Sequence, residues 1–258
     1  MNLDFEIIDT GAHDGAWNMA FDVQRAEALD RGVAAPMLRV YTWDPWCISL
    51  GRHQDIADID QEAVQAAGYE IVRRPTGGRA ILHAEELTYS VVMPSEGRSI
   101  MEVYKEISEA LTAGLRTLAP DIAIAKSQPD FQKLYREPGS IPCFSSSARY
   151  EIEFDNRKVV GSAQRRIGSA VLQHGSILIG GAHLALADFL AVDDEVREQL
   201  RQDMQRHTIT LNEIAGRELS VGEVAKAVIG GFIESWEMHG TNLAGNQYFS
   251  AETGSRGT

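Results

Sequence analysis

The chain has 258 residues, 44% hydrophobic and 24% charged, values that exclude a disordered, collagenous or coiled-coil protein and suit one large α+β domain. Its only cysteines, Cys47 and Cys143, are too far apart in sequence for a metal-ligand pattern and too few for a disulfide scaffold, so a reducing compartment is expected. Twenty-four basic against thirty-seven acidic residues give −13, a charge that argues against nucleic acid or an anionic membrane as partner.

The amino terminus has neither the basic start nor the apolar core of a signal peptide, and no apolar run approaches the ~20 residues that span a bilayer. A cytoplasmic protein is therefore expected. Asp14 is placed to cap a helix through Trp17, Ala20, Phe21, Gln24 and Leu29 that closes near Gly32. The β-formers of 36–50 are broken by Asp44-Pro45 and predict two strands. A short strand over 69–73 feeds Pro75-Thr76-Gly77-Gly78, and 87–92 alternates as another strand. Val103, Ile107, Leu111, Leu115 and Leu118 have helical spacing, which predicts a helix over 99–118 ending before Pro120.

In the second half, Tyr150, Ile152 and Phe154 alternate with charged residues. Asp155-Asn156 supplies a turn, and 159–164 returns as its hairpin partner. A strand follows over 171–179. Ser220 and Glu223 form a capping box ahead of a helix carrying Val224, Val228, Phe232 and Trp236. From Met238 the chain is polar and Gly-rich, which predicts a frayed tail. Hairpins mixed with helices favour α+β, with mixed or antiparallel sheets and flanking helices, in a single domain over 1–238 with a flexible tail over 239–258.

Four segments could carry chemistry. In Arg73-Arg74-Pro75-Thr76-Gly77-Gly78-Arg79-Ala80 the paired glycines let the backbone approach a ligand while three arginines add donors; a plain surface turn has the same pattern. In Lys158-Val159-Val160-Gly161-Ser162-Ala163-Gln164, Gly161 within a strand points to close approach, whereas Lys158 reads equally as a solvated edge residue. Cys143 lies in a Pro-, Gly- and Ser-rich loop, unlike Cys47, which sits in an apolar strand and reads as core. Between Arg149 and Arg166 five basic residues face three acidic ones, and a positive surrounding favours the thiolate of Cys143. His83 and His174, the latter in Gln173-His174-Gly175-Ser176, suit either substrate orientation or a structural hydrogen bond.

The order of these segments, after Asn18-Met19-Ala20 and Ser49-Leu50-Gly51-Arg52-His53-Gln54, resembles the lipoate–protein ligase and octanoyltransferase family over about residues 14–180. The resemblance implies the α+β catalytic fold shared with biotin–protein ligases. It implies a medium-chain acyl pocket built from Arg74, Thr76, Gly77, Gly78, Arg79, Ala80, His83, Gly161, Ser162, Ala163, His174 and Gly175, with Lys158 at the acyl carbonyl. Arg79 stands where ATP-dependent ligases have a third glycine, and Ala84 where they have an aspartate. Pro142-Cys143-Phe144 and Ser162-Ala163-Gln164-Arg165-Arg166 are similar to the LipM-type octanoyltransferase branch instead.

That branch implies Cys143 as nucleophile and Lys158 as its proton-handling partner, with Arg165 and Arg166 docking the carrier. It implies octanoyl-acyl carrier protein as donor through its phosphopantetheine arm. The implied acceptor is a lipoyl-carrier protein such as glycine cleavage H protein or a 2-oxoacid dehydrogenase subunit. No metal or further cofactor is expected, ATP and Mg being needed only by a ligase. A ligase, an amidotransferase between lipoyl domains and a non-catalytic acyl-binding relative are the alternatives. The 126–141 segment is long for a loop and could cover the site.

Overall fold

Asp14 caps the first helix as its position predicts. Its carboxylate accepts the Trp17 amide at 2.7 Å, and α1 (Gly15–Asp30) runs from there to Gly32, whose φ of 71° closes the turn. The computed structural model describes residues 5–125, 150–236 and 242–244.

The main sheet comprises β1 (Glu6–His13), β2 (Met37–Trp43), β6 (Glu86–Pro94), β7 (Ala123–Ile124), β8 (Ile152–Phe154), β9 (Arg157–Ile167), β10 (Ala170–Leu178) and β11 (Asn242–Ala244). Their order is β11-β1-β2-β6-β10-β9-β8-β7. β1 pairs in parallel with β2 and β11, and every other pairing is antiparallel. A smaller sheet, β4-β3-β5, holds β3 (Cys47–Leu50) between β4 (Glu70–Arg73) and β5 (Ile81–His83). The α+β class and mixed sheets read from the sequence are therefore observed. The expected hairpin is β8–β9, and Asp155 and Asn156 both take positive φ, as a two-residue hairpin turn requires.

Helices cover the main sheet on both faces. On one, α3 (Ile100–Leu115) and α6 (Val221–Ser235) pack together over Leu87, Tyr89, Val91 and Met93 of β6. Both open with capping boxes, Ser99 with Glu102 and Ser220 with Glu223. They approach closely because Gly114 and Gly231 lie at the contact: a Cβ on Gly114 would come 2.2 Å from the Ala227 carbonyl. α1 contacts β6 and β10. The small sheet has a core of its own, with Ile48, Leu50, Ala80 and Leu82 against Val64 of α2 (Gln61–Ala66), against Leu186 and Leu190, and against Leu200 and Met204 of α4 (Asp194–His207). Leu211 of α5 (Leu211–Ala215) joins the larger core.

Two expectations are corrected. α3 ends at Leu115, and Thr117 and Leu118 lie in a tight turn because their amides bond back to Gly114 and Leu115 three residues earlier. Part of the predicted tail is a strand: Asn242–Ala244 pairs with Glu6, Ile7 and Ile8, where the parallel edge of β1 supplies backbone partners that local composition does not reveal. The remainder of 239–258, the 126–141 segment and Cys143 lie outside the described residues.

Candidate active site

The two sheets meet at a cavity of about 340 Å³, its open mouth included. α1 supplies Met19, β2 supplies Tyr41 and Trp43, and the small sheet supplies Ser49, Ile81 and His83. Thr88 comes from β6. β9 and β10 add Gly161, Ser162, Ala163, His174, Gly175 and Ser176. Strand pairing fixes that last group, because His174 faces Ala163, Gly175 faces Ser162 and Ser176 faces Gly161 across the β9–β10 ladder. Gly175 keeps the slot open: a Cβ there would lie 2.7 Å from both Ser162 Oγ and Tyr89 Cε1.

His174 ties α1 to the Gly-Gly loop. Its Nδ1 lies 3.3 Å from Asp22 Oδ2 and its Nε2 2.7 Å from Thr76 Oγ1. Burial acts to raise the Asp22 carboxyl, but the hydrogen bond with His174 and the charge of Arg39 outweigh it and hold the group below its ordinary value. Asp22 is therefore an acceptor, so Nδ1–H donates to it, and Nε2 is paired with the Thr76 hydroxyl. Arg39 is fully buried. It donates to Asp22 Oδ1 at 2.8 Å, to Asn18 and to Thr10, and its guanidinium lies 3.7 Å from the Tyr41 ring centroid.

Arg74 is buried too and braces the loop from within, donating to the carbonyls of Ser49, Gly77 and Arg79 at 2.7–3.1 Å. Gly77 and Gly78 are exposed. Gly51 passes so near that a Cβ on it would collide with the Gly78 carbonyl. On the other wall His83 Nε2 lies 2.8 Å from Ser49 Oγ, its ring stacks on Trp43 at 4.0 Å, and its Nδ1 is 3.5 Å from Glu86 Oε1. Burial lowers the His83 pKa despite the Glu86 hydrogen bond and charge, so the ring is neutral near pH 7.

The structure brings Arg74, His83, Gly161, Ser162, Ala163, His174 and Gly175 into the lining of one cavity, with Thr76 one hydrogen bond behind His174. Ala80 packs in the small-sheet core instead. Arg79 is half-buried beside the loop, offering its carbonyl to Arg74. Lys158 is buried on β9 and pairs with Glu151 at 2.7 Å; it is not among the residues lining this cavity. Arg165 donates to the Pro75 carbonyl at 3.2 Å, and exposed Arg166 donates to the Arg98 carbonyl.

Sequence reasoning missed Asp22, Arg39, Tyr41, Ser49, Glu86 and Thr88. One signal was present, since Asn18 and Asp22 stand four apart beside Met19 and Ala26 on the face that α1 buries. Among the described residues no group of three His, Cys, Asp or Glu could hold a metal ion, and no helix is long and apolar enough to cross a membrane.

Residues 14–233 match the family of the lipoyl protein ligase A/B catalytic domain. A protein of Kyrpidia tusciae named Octanoyltransferase LipM is 40% identical over 237 residues, 90% of this chain and 86% of that protein. The protein of the same name from Staphylococcus aureus is 34% identical over 90% of this chain and 87% of its own length. Among solved structures, the bi-partite lipoate protein ligase of Thermoplasma acidophilum superposes with a TM-score of 0.72 at 20% identity, covering 95% of this chain and 87% of that one. Lipoate-protein ligase A bound with ATP gives 0.68 at 23% identity, over 95% and 89%. These structures share the fold. With the family matched over most of its length and relatives at 34–40% identity, the chain belongs to the lipoyl protein ligase A/B catalytic-domain family.

Proposed function

We propose that the protein is an octanoyltransferase that moves an octanoyl group from an acyl carrier protein thioester, through Cys143, to a lysine of a lipoyl-carrier protein. The observation that carries this reading is the 34–40% identity, over nearly the whole chain, to proteins named Octanoyltransferase LipM. The narrow cavity, walled by Met19, Tyr41, Trp43 and Ile81 and kept open at Gly175, suits an unbranched acyl chain.

In the first step the Cys143 thiolate attacks the thioester carbonyl. A new C–S bond forms, the old one breaks, and the phosphopantetheine thiolate leaves and takes up a proton. In the second, the neutral amine of the acceptor lysine attacks, a C–N bond forms, the bond to Cys143 breaks, and the amine's proton is released. Thioester exchange is near neutral and amide formation is downhill, so neither step needs ATP or a metal. Lys158, held in its strand by Glu151, favours the thiolate of Cys143 and handles the proton of the second step. Backbone N–H groups of Gly77-Gly78 or Gly161-Ser162 stabilise the tetrahedral oxyanion. Arg165 and Arg166 meet the acidic surface of the carrier at the rim of the loop. The reaction is placed in the cytoplasm.

Mass spectrometry after incubation with octanoyl-acyl carrier protein tests the reading. One added octanoyl group, absent in Cys143→Ser, is expected; undiminished transfer by that variant overturns it. Formation of an adenylate from lipoate and ATP would identify a ligase instead.

A further inference from the structure

A second cavity, of about 590 Å³ with its open mouth, shares Trp43 and His83 with the first and is otherwise lined by Thr42, Trp46, Glu85 and Glu86 and their neighbours. One stacked ring pair thus borders both spaces. Glu86 is 4% exposed. Its Oε1 accepts the Thr88 hydroxyl at 2.7 Å, while its Oε2 is buried with no hydrogen-bond partner. Among the described residues no lysine or arginine is ion-paired with Glu86, and His83 Nδ1 lies 3.5 Å from the oxygen that Thr88 already occupies. A desolvated carboxylate oxygen of this kind is costly until a cationic donor reaches it.

The rest of the lining says which cation fits. Trp43 and Trp46 offer indole rings, which attract an ammonium and pack against an apolar stem. Exposed Glu85, whose Oε2 accepts the Ala182 amide at 3.1 Å, adds a second negative charge that excludes anions. Among the described residues no three His, Cys, Asp or Glu side chains are grouped as a metal site needs. We propose that this cavity binds a primary alkylammonium, that of the acceptor's target lysine, beside the acyl cavity. Identifying the ammonium as the acceptor lysine rests on the octanoyltransferase reading; the ammonium site itself does not.

The test titrates the full-length protein with n-butylamine and, as neutral isostere, 1-butanol, following the indole N–H resonances of Trp43 and Trp46. The amine is expected to shift them at concentrations where the alcohol does not, and Glu86→Gln to weaken that binding roughly tenfold. Equal responses to amine and alcohol, or unchanged amine binding in Glu86→Gln, overturn the proposal. In the enzyme assay, acyl loading and transfer to the acceptor are timed separately. Glu86→Gln and Trp46→Leu, at positions that line this cavity and not the acyl cavity, are expected to raise the acceptor KM by about tenfold and the loading time by much less. Equal effects on both half-reactions overturn the assignment to the acceptor. If wild-type protein accepts no octanoyl group, the octanoyltransferase reading fails while the butylamine titration still decides the cavity.

Discussion

His174 Nε2 and Thr76 Oγ1 lie 2.7 Å apart although 98 residues separate them in sequence, and this bond fastens the Gly-Gly loop to the centre of the main sheet. Removing either partner leaves the other buried and unsatisfied. Thr76→Val is expected to lower stability by about 1–3 kcal/mol, measured by urea unfolding, and to slow octanoyl loading in the same variant. Loading at the wild-type rate would show that the bond does not position the loop.

Asp22 carries more weight than its place on an ordinary helix suggests. Asp22→Ala strands the fully buried Arg39 guanidinium and frees His174, and the expected cost is about 3–5 kcal/mol. Asp22→Asn keeps the shape and loses the charge, so it falls between that variant and the wild type in a thermal melt.

Gly175→Ala narrows the acyl slot, because its Cβ would sit 2.7 Å from Ser162 Oγ and 2.8 Å from the Gly161 carbonyl. Loading with octanoyl carrier is expected to fall more than loading with a shorter acyl group. Equal losses for both chain lengths would place the slot elsewhere.

His183 makes the fold sensitive to acid. Burial lowers its pKa from 6.5 to about 4, with Nε2 hydrogen-bonded to Thr208 Oγ1 at 2.8 Å. Above pH 6.5 the ring is neutral whether the chain is folded or not, and its contribution is complete. Between 6.5 and 4 only the unfolded chain takes up the proton, so stability is lost as pH falls through that window and levels off below it. The loss attributable to this ring is about 3 kcal/mol at 1.36 kcal/mol per unit. Chemical denaturation of His183→Gln across this pH range is expected to show a shallower slope than the wild type.

Gly114→Ala drives a methyl into the Ala227 carbonyl at the crossing of α3 and α6. A loss of about 1–3 kcal/mol is expected, with a lowered melting temperature and an unchanged acyl-loading rate at low temperature.

Local chemistry made much of this legible in the sequence. The Asp14 and Ser220 caps, the Asp155-Asn156 turn and the helical spacing from Val103 to Leu115 all act within a few residues, and each element formed where its signal stood. The cavity residues legible beforehand were those marked by glycine or by a motif. Arg39 was hidden because a guanidinium in a strand reads as solvated until a distant helix supplies Asn18 and Asp22. Ser49 has the same explanation, since His83 reaches it only after β3 and β5 have paired, whereas Glu86 lies three residues from His83 and carried no mark beyond its place at the start of a strand. The strand at Asn242–Ala244 depends wholly on an edge formed some 230 residues earlier, which no local pattern encodes.

The cavity lies between the two sheets, with His83 and Ser49 on the small one and His174 and Gly161 on the large one. Two small apolar clusters join the layers beside it: Met19, Tyr41, Trp43 and Cys47, and Ile81 with Leu178. Its width is therefore the spacing between two layers, each with a main core of its own. A small slide of one layer on the other would change the room for an acyl chain without breaking a strand pairing. Thr76–His174 and Arg165–Pro75, both reaching the Gly-Gly loop, are stitches across that seam.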